Sequence, residues 1–180
     1  MFDYSYLKYP PIKPRKLPQY LILRNYGKEE DDGIRFFSAF STKTGKICGH
    51  VSCIPEILLR DKQKIRSMYV DELISYNPGH GVGTILLDFV RTLSKKYDCG
   101  GRFHLNSSAC FQPNRIPHIF YRKYGMTSGS KCIDRKLDKF IKQGKMATHR
   151  DFGSLSMYYP PKDFNGKIKF LECVMKFLSF

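Results

Sequence analysis

A glycine-rich turn that joins a strand pattern to the clearest helix pattern most constrains the fold of this chain. The turn runs from Asn77 to Thr84, reads NPGHGVGT, and follows a strand pattern over residues 66–75. Beyond it, apolar residues recur at helical spacing and form one stripe: Val82, Leu86, Phe89, Val90, Leu93 and Tyr97. Glycines let backbone N–H groups approach an anion, and the dipole of the following helix adds a favourable potential. The pattern therefore predicts either a phosphate-binding turn or a tight turn that packs a helix on a sheet.

Two common phosphate-binding motifs are excluded at this turn. It does not end in Gly-Lys-Ser/Thr, so it is not the loop of the P-loop nucleotide hydrolases. No acidic residue follows about 20 positions on, at the end of a second strand, so the dinucleotide-binding fingerprint also fails. An anion bound here therefore requires a different motif.

The rest of the chain indicates a mixed α/β fold in a single domain. No internal repeat or low-complexity linker divides the 180 residues. Strand patterns lie at residues 20–23, 34–41, 46–54, 66–75, 102–106 and 154–159, and helix patterns at 82–97, 114–124 and 133–141. The second and third strand patterns predict a hairpin with its turn at Thr44 and Gly45. A charge-interrupted apolar run at residues 168–180 predicts a terminal amphipathic helix docked on the core.

The charge balance predicts an anionic partner. Lys and Arg number 31 against 16 acidic residues, which gives a formal net charge of +15. Nucleic acid, a membrane surface and a phosphate-bearing small molecule all fit such a balance. Much of the positive charge lies in the amino-terminal arm and after Met126, where residues 131–150 present a basic helix face. That face is either a solvated surface or a docking site for an anionic acceptor.

The sequence predicts a cytoplasmic chain without a metal site. Residues 1–16 lack the apolar run of a secretory signal, and no stretch reaches the roughly 20 apolar residues of a spanning helix. None of the six cysteines stands in a C-x-x-C pair, and no histidine lies at ligand spacing beside one. The spacing also gives no support to a thiol nucleophile built from Cys110 with His104 or His118. We therefore expect reduced, unreactive thiols.

Two motifs, taken in order, resemble the GNAT superfamily of acetyl-CoA-dependent N-acetyltransferases. The first is the strand and turn described above, in which residues 78–83 match the family's Arg/Gln-x-x-Gly-x-Gly signature. The second is a strand at residues 103–106, then Asn114, then a helix that ends in FYRKYG at residues 120–125. Residues 69–73, Tyr-Val-Asp-Glu-Leu, also resemble the acid-bearing strand before the family's loop.

The resemblance covers residues 69–126 well and the hairpin at 36–54 more loosely. It implies a mixed, mostly antiparallel central sheet flanked by helices and splayed between its fourth and fifth strands. The core would span about residues 18–126, with a helical and strand extension at 127–180. It also implies acetyl-CoA as cofactor and direct transfer of its acetyl group to a primary amine in a ternary complex. The residues implied to bind acetyl-CoA are Leu73, Ile74, Ser75, Gly79, His80, Gly81, Val82, Gly83, Thr84 and Asn114.

Acetyl transfer needs a base for the amine, a polarised carbonyl and a proton for the departing thiolate. The resemblance implies Tyr121 as the acid and Glu72 as the base, with Asp71 as the second candidate, acting directly or through water. Strand alternation predicts that these two carboxylates point to opposite faces. A backbone N–H of the strand segment at residues 73–75 would polarise the carbonyl.

Two departures from the family's pattern leave the acceptor open. Pro78 replaces the usual Arg or Gln, which removes one N–H and one side-chain donor. The family places two helices between its first two strands, where this chain offers only residues 28–33. Two alternatives remain, a non-catalytic CoA-binding sensor and a basic nucleic-acid-binding module. The acceptor (a small molecule, a protein or an aminoacyl-tRNA) and the choice between monomer and homodimer stay open, and no membrane partner is expected.

Overall fold

Up to residue 159, strands and helices follow the order expected from the sequence. The computed structural model describes residues 19–24, 33–60, 63–109, 116–164 and 168–169. The strands within these residues are β1 (Tyr20–Arg24), β2 (Arg35–Ser41), β3 (Ile47–Arg60), β4 (Gln63–Ser75), β5 (Phe103–Ser107), β6 (Leu155–Tyr159) and β7 (Ile168–Lys169). The helices are α1 (Val82–Lys96), α2 (His118–Tyr124) and α3 (Lys131–Lys142), with a short 3-10 helix at Pro161–Asp163.

One mixed sheet organises the chain, in the strand order β1-β2-β3-β4-β5-β6, with β7 added to the far end of β3. Neighbouring strands are antiparallel except β4 and β5, which are parallel. These two pair only where residues 68–70 face residues 103–105. Beyond that point β4 continues to Ser75 and β5 to Ser107 without pairing to each other. The expected mixed, mostly antiparallel sheet, splayed between its fourth and fifth strands, is confirmed.

Helix α1 supplies most of the apolar cover on one face of this sheet. Val82, Leu86, Val90 and Leu93 of its stripe are buried in the main core together with inward residues of β2, β3, β4 and β5, and the partly buried Phe89 and Tyr97 pack against it. The stripe follows the predicted spacing, and burying each large aliphatic side chain contributes about 1.5–3 kcal/mol before entropic costs. Val51 and Cys53 of β3 lie in the same core. Because strand side chains alternate, His50 and Ser52 point to the face of β3 that lies away from α1.

The hairpin of β3 and β4 extends further than the sequence pattern predicted. We expected strands at residues 46–54 and 66–75, whereas the ladder runs on until Arg60 faces Gln63. Pro55 lacks a backbone N–H, so the strand pattern in the sequence ends before it. The added length places Leu58 in a second small cluster with Tyr158 and Phe164.

Helices α2 and α3 form a unit held by one arginine. The guanidinium of Arg122 donates from Nε and Nη2 to the two carboxylate oxygens of Asp138, both at 2.8 Å, and from Nη1 to the Met126 carbonyl at 2.9 Å. It also forms an ion pair with Asp134, whose carboxylate accepts hydrogen bonds from Thr127 and Ser128. The acidic residues of α3 therefore face Arg122 of α2.

At the carboxyl end, the predicted terminal helix is wrong at its first two residues. Ile168 and Lys169 pair as a strand with Leu59 and Arg60, so they satisfy the β3 edge instead of beginning a helix. The remaining positions of that prediction, 170–180, lie outside the described residues. Among the helices that the structure describes, none has the length and apolar character needed to cross a membrane.

Candidate active site

The glycine turn between β4 and α1 presents an open helix amino terminus. Gly79 and Gly81 have φ values of 87° and 79°, and a β-carbon at either position would meet nothing within 4 Å. Gly81 is the N-cap residue of α1, and no side chain caps the helix. The first N–H groups of an α-helix have no partner within the helix, so an uncapped end that is open to solvent suits an anion.

A side-chain hydrogen bond ties the turn to the sheet, and two further contacts lie within the turn. The His80 N–H points to the Asn77 carbonyl at 3.4 Å, and its Nδ1 lies 3.2 Å from the Pro78 carbonyl. The Tyr20 hydroxyl of β1 donates to the His80 carbonyl at 3.4 Å. The side chain of His80 thus supports the turn locally and remains exposed.

The segment Leu73, Ile74 and Ser75 borders the gap between β4 and β5. These residues pair with Val51, His50 and Gly49 of β3 on one side and with no residue of β5 on the other. In an antiparallel ladder, alternate backbone groups point away from the partner strand. Those groups of β4 open into the gap, which leads directly to the glycine turn.

Asp71 and Glu72 share one face of the sheet, so the expectation that they point to opposite faces is wrong. Val70 faces Cys53 and Glu72 faces Ser52, which leaves Asp71 as an extra residue in a β-bulge. A bulge interrupts strand alternation, because two residues oppose one. The Asp71 carboxylate lies 3.4 Å from the Ser52 hydroxyl, and the Glu72 carboxylate lies 2.8 Å from Nε2 of His50. Both carboxylates therefore reach side chains on the face of β3 opposite α1.

His50 joins this cluster and was missed by sequence reasoning. Its Nδ1 lies 2.9 Å from the hydroxyl oxygen of Tyr76, just after the end of β4. The register explains the contact, because His50 faces Ile74 and the side chains at 72, 74 and 76 alternate onto one face. No local motif carries this information. Only the pairing register and the bulge together bring His50, Glu72 and Tyr76 into contact.

Tyr121 lies on α2 and is 7% exposed. Burial raises the pKa of its phenol to about 12, so the group keeps its proton at neutral pH. The neighbouring ring of Phe120 has its centroid 5.2 Å from that of Tyr121. A β-carbon at Gly83 would lie 2.9 Å from Cζ of Phe120, so α2 packs closely on the first turn of α1.

A cleft of about 490 Å³ lies between these two helices, lined by Thr84, Phe120, Lys123 and Tyr124. The Tyr124 hydroxyl donates to Asp88 at 2.7 Å. Burial is the main cause that raises the pKa of this phenol, and the Asp88 carboxylate is the second. Lys123 is exposed and brings a positive charge to the cleft beside the helix amino terminus. The sequence motif contains Lys123 but gave no reason to select it.

The other residues weighed from the sequence have different outcomes. Asn114 and Cys110 lie outside the described residues, so their expected roles stay predictions. His104 and His118 are both fully buried, where Nδ1 of each contacts a serine hydroxyl, Ser67 or Ser107. Burial lowers the pKa of His118, and its Nε2 donates to the Gly153 carbonyl at 2.8 Å. These contacts give both imidazoles structural partners.

The basic segment after α2 forms an exposed surface on and beyond α3. Its cationic residues are exposed: Lys131, Arg135, Lys136, Lys139, Lys142, Lys145 and Arg150. The ammonium of Lys136 also donates to the Asp151 carbonyl at 2.6 Å and lies over the ring of Phe152. Because the acids of α3 bind Arg122, the surface keeps a net positive charge.

Comparison with known proteins shows that the chain is similar to several solved structures. No protein-family model and no curated protein sequence matches the chain. A mutant of the toxin AtaT, bound to the C-terminus of the antitoxin AtaR and acetyl-CoA, is similar with 13% identity and a TM-score of 0.46 over 82% of this chain and 96% of that one. Arabidopsis thaliana NAA60, in complex with a bisubstrate analogue, is similar with 15% identity and a TM-score of 0.46 over 70% of this chain and 75% of that one.

A third similar structure is a conserved protein of unknown function from Enterococcus faecalis, described as a probable N-acyltransferase. It has 14% identity and a TM-score of 0.41, and the match covers 53% of this chain but only 22% of that one. All three similarities are low.

Proposed function

We propose that the chain is an N-acetyltransferase of the GNAT type, which transfers the acetyl group of acetyl-CoA directly to a primary amine. One observation carries the proposal: the gap between β4 and β5 leads to the uncapped amino terminus of α1 through a turn with two glycines at positive φ. This arrangement places a slot along a strand edge next to an anion site. A thioester donor such as acetyl-CoA needs the slot for its extended arm and the anion site for its pyrophosphate.

The residues at the turn and gap fit acetyl-CoA. The N–H groups of residues 79–84 would contact the pyrophosphate, and the free backbone edge at residues 73–75 would run beside the pantetheine arm. The cleft lined by Thr84 and Lys123 gives further phosphate a cation close to the same helix end. Asn114 stays our predicted contact near the thiol. In this proposal residues 1–180 form one acetyltransferase domain.

Chemistry is assigned to three side chains. The neutral phenol of Tyr121 is the proposed acid that donates a proton to the departing thiolate. Glu72 is the proposed general base for the amine, acting directly or through an intervening group, and Asp71 is the second candidate. Their common face supports this assignment, because both carboxylates border the strand segment where the thioester would lie.

The amine acceptor would approach from the face of β3 and β4 that carries the carboxylates. The exposed cations of α3 favour an acceptor, or a carrier of the acceptor, with negative charge. A small molecule, a protein amine and an aminoacyl-tRNA are all retained as acceptors. The family's acceptor class is not transferred here, because only residues 25–34 separate β1 from β2.

Isothermal titration with acetyl-CoA, followed by a thiol-release assay, tests the proposal. The assay offers a panel of primary amines: an α-amino peptide, a lysine peptide, spermidine and an aminoacyl-tRNA. We expect saturable binding and release of thiol with at least one amine. Labelled acetyl-CoA added to a cell extract then identifies the modified fraction. Binding without transfer to any amine or to the extract would support the sensor alternative. Absence of acetyl-CoA binding, with salt-dependent binding of random oligonucleotides, would support the nucleic-acid-binding alternative.

A further inference from the structure

The imidazole of His50 is held at both nitrogens by groups of opposite character. Its Nε2 lies 2.8 Å from the Glu72 carboxylate and its Nδ1 lies 2.9 Å from the Tyr76 hydroxyl. A carboxylate only accepts hydrogen bonds, so Nε2 carries the hydrogen toward Glu72. In the neutral imidazole, Nδ1 then lacks a hydrogen and accepts the hydroxyl hydrogen of Tyr76. The order is acid, imidazole, hydroxyl.

That order has a chemical consequence. A carboxylate that holds the imidazole fixes its tautomer and stabilises the imidazolium that forms when the imidazole takes a proton. An imidazole is also the side chain whose charge ordinarily changes between pH 5 and 8. The three groups therefore make a path along which a proton that arrives at the Tyr76 oxygen can pass to His50.

Position along β4 indicates which end of the path meets a substrate. Both ends are accessible, since Tyr76 is 54% exposed and the Glu72 side chain 46%, whereas the His50 side chain between them is 22% exposed. Of the two ends, Tyr76 directly follows Ser75, the last residue of the β4 segment that borders the gap. Tyr76 is thus the accessible end next to the gap, and the imidazole behind it is more shielded.

We propose that Tyr76 and His50 form the proton relay for the amine, with Tyr76 touching the acceptor and His50 holding the proton under the control of Glu72. This inference rests on the proposed acetyltransferase function and deepens it by naming the group through which Glu72 acts. Tyr76 is then a catalytic residue, and His50 and Glu72 act through it.

The transfer step balances with these groups. The nitrogen of the neutral amine forms a bond to the thioester carbonyl carbon, and the carbon–sulfur bond breaks with its electron pair on sulfur. One amine proton passes to the Tyr76 oxygen as the Tyr76 hydrogen moves to Nδ1 of His50. The sulfur takes the phenolic proton of Tyr121. His50 afterwards releases its proton to solvent, and Tyr121 regains one from solvent.

The surroundings of His50 define the groups that influence its charge. From β4 it meets Glu72 and Tyr76, and Asp71 lies nearby on the same face through its contact with Ser52. From β2 its ladder partner is the uncharged Ser38. Within the described residues, no cation forms an ion pair with Glu72 in competition with the imidazole.

The test compares His50→Gln and Tyr76→Phe with the wild type, using acetyl-CoA and the amine of the panel that gives the fastest thiol release. Gln keeps a hydrogen-bonding amide at position 50 but does not take a proton. We expect kcat to fall about 100-fold in each variant, because general-base catalysis typically contributes 10²–10⁴-fold. The pH profile of kcat should also change in His50→Gln, because the amide at position 50 does not take a proton.

Three controls separate the relay from a structural role. Tyr97→Phe removes a hydroxyl at the carboxyl end of α1 and should leave kcat unchanged. Acetyl-CoA affinity and thermal unfolding should be unchanged in both relay variants. The double variant should lose no more activity than the worse single variant, because the two groups act as one unit.

The outcomes of this test are distinct. A His50→Gln variant that folds, binds acetyl-CoA and keeps both the wild-type kcat and its pH profile would overturn the relay and leave the acetyltransferase function standing. Additive losses in the double variant would also overturn it. A wild-type protein that fails to release thiol with every amine tested would overturn the proposed function and the relay together.

Discussion

The α-carbon of Gly83 and the ring of Phe120 lie so close that a β-carbon at position 83 would come within 2.9 Å of Cζ of Phe120. This contact joins the first turn of α1, where the proposed phosphate site begins, to α2, which carries Tyr121. The separation between donor site and proposed acid is therefore set by a glycine. Replacing glycine by alanine normally stabilises a helix by about 1 kcal/mol. The steric cost of the added β-carbon at position 83 can therefore be measured as the loss of that stabilisation.

Gly83→Ala should weaken acetyl-CoA binding because the Phe120 ring, and α2 with it, must move away from α1. The usual stabilisation of a helix by alanine should be absent in urea unfolding. Adding Phe120→Leu restores space, so the double variant should recover part of the affinity. A single variant that is about 1 kcal/mol more stable than wild type and binds acetyl-CoA normally would show that the contact does not set the site.

Gly81→Ala should weaken acetyl-CoA binding by about tenfold, since strain at the N-cap displaces the N–H groups of the proposed anion site. The matched control is Gly144→Ala, after the end of α3. Both positions have positive φ, 79° and 64°, and open space around a β-carbon. Both variants should lose on the order of 1 kcal/mol of unfolding free energy from backbone strain. Equal losses of affinity in calorimetry would place the anion site elsewhere.

Tyr121→Phe should lower kcat by about 10²-fold while acetyl-CoA affinity stays near wild type. Burial raises the pKa of this phenol to about 12, so its protonated form persists through the alkaline range. The wild type should therefore show no loss of rate from this group up to about pH 10. Thiol release measured from pH 6 to 10 checks both statements. Full activity of the variant would remove Tyr121 from the mechanism.

Acid should destabilise the fold through His118, which is fully buried between Ser107 and Gly153. Burial lowers its pKa below 6.5, so the unfolded chain binds more protons than the folded one once the pH falls below that value. The free energy of unfolding then decreases as the pH falls, by at most about 1.4 kcal/mol for each pH unit.

Urea unfolding at pH 7.5, 6.5 and 5.5 measures that slope. His118→Gln should flatten it, whatever its absolute stability, whereas His149→Gln, at an exposed position, should keep it. A slope that survives in His118→Gln would assign the acid sensitivity to another group.

Arg122→Lys should loosen α3 from α2 because an ammonium does not form the paired bonds that the guanidinium makes with Asp138. Since the Asp138 side chain is 43% exposed, we expect a loss on the order of 1 kcal/mol after solvent screening. Arg122 lowers the pKa of Asp138 below 3.8, so this stabilisation is present above that pH and is lost as the pH falls through the lowered value. Identical chemical unfolding of variant and wild type at pH 7 would contradict this role.

The elements around the glycine turn could be predicted because their signals are local. The apolar stripe of α1 has helical spacing, and α2 ends at Gly125 with a φ of 103°, as glycine allows. The splay between β4 and β5 came instead from the family resemblance. No pattern of periodicity shows where two parallel strands separate.

The cluster of His50, Glu72 and Tyr76 could not be predicted, since it depends on long-range register. One local signal was present and went unused. Buried residues of β4 are two apart at Met68 and Val70, but the next residue packed on the core is Leu73, three further on. A three-residue spacing between core residues of a strand indicates a bulge in the sequence. This spacing predicts the position of the bulge, whereas the contacts of the bulged residues still depend on which strand lies beside it.

The bulge at Asp71 also bears on how such a strand can change in length. If Asp71 is skipped, the residues from 68 to 76 alternate regularly, with Val70 and Leu73 toward the core and Glu72 and Tyr76 away from it. Asp71 is thus an insertion that the ladder absorbs without shifting the pairs on either side. A single inserted or deleted codon at this point would add or remove a carboxylate beside the gap while leaving the buried residues in place. Indels are usually tolerated in loops, and here a central strand accommodates one next to Glu72, the proposed base.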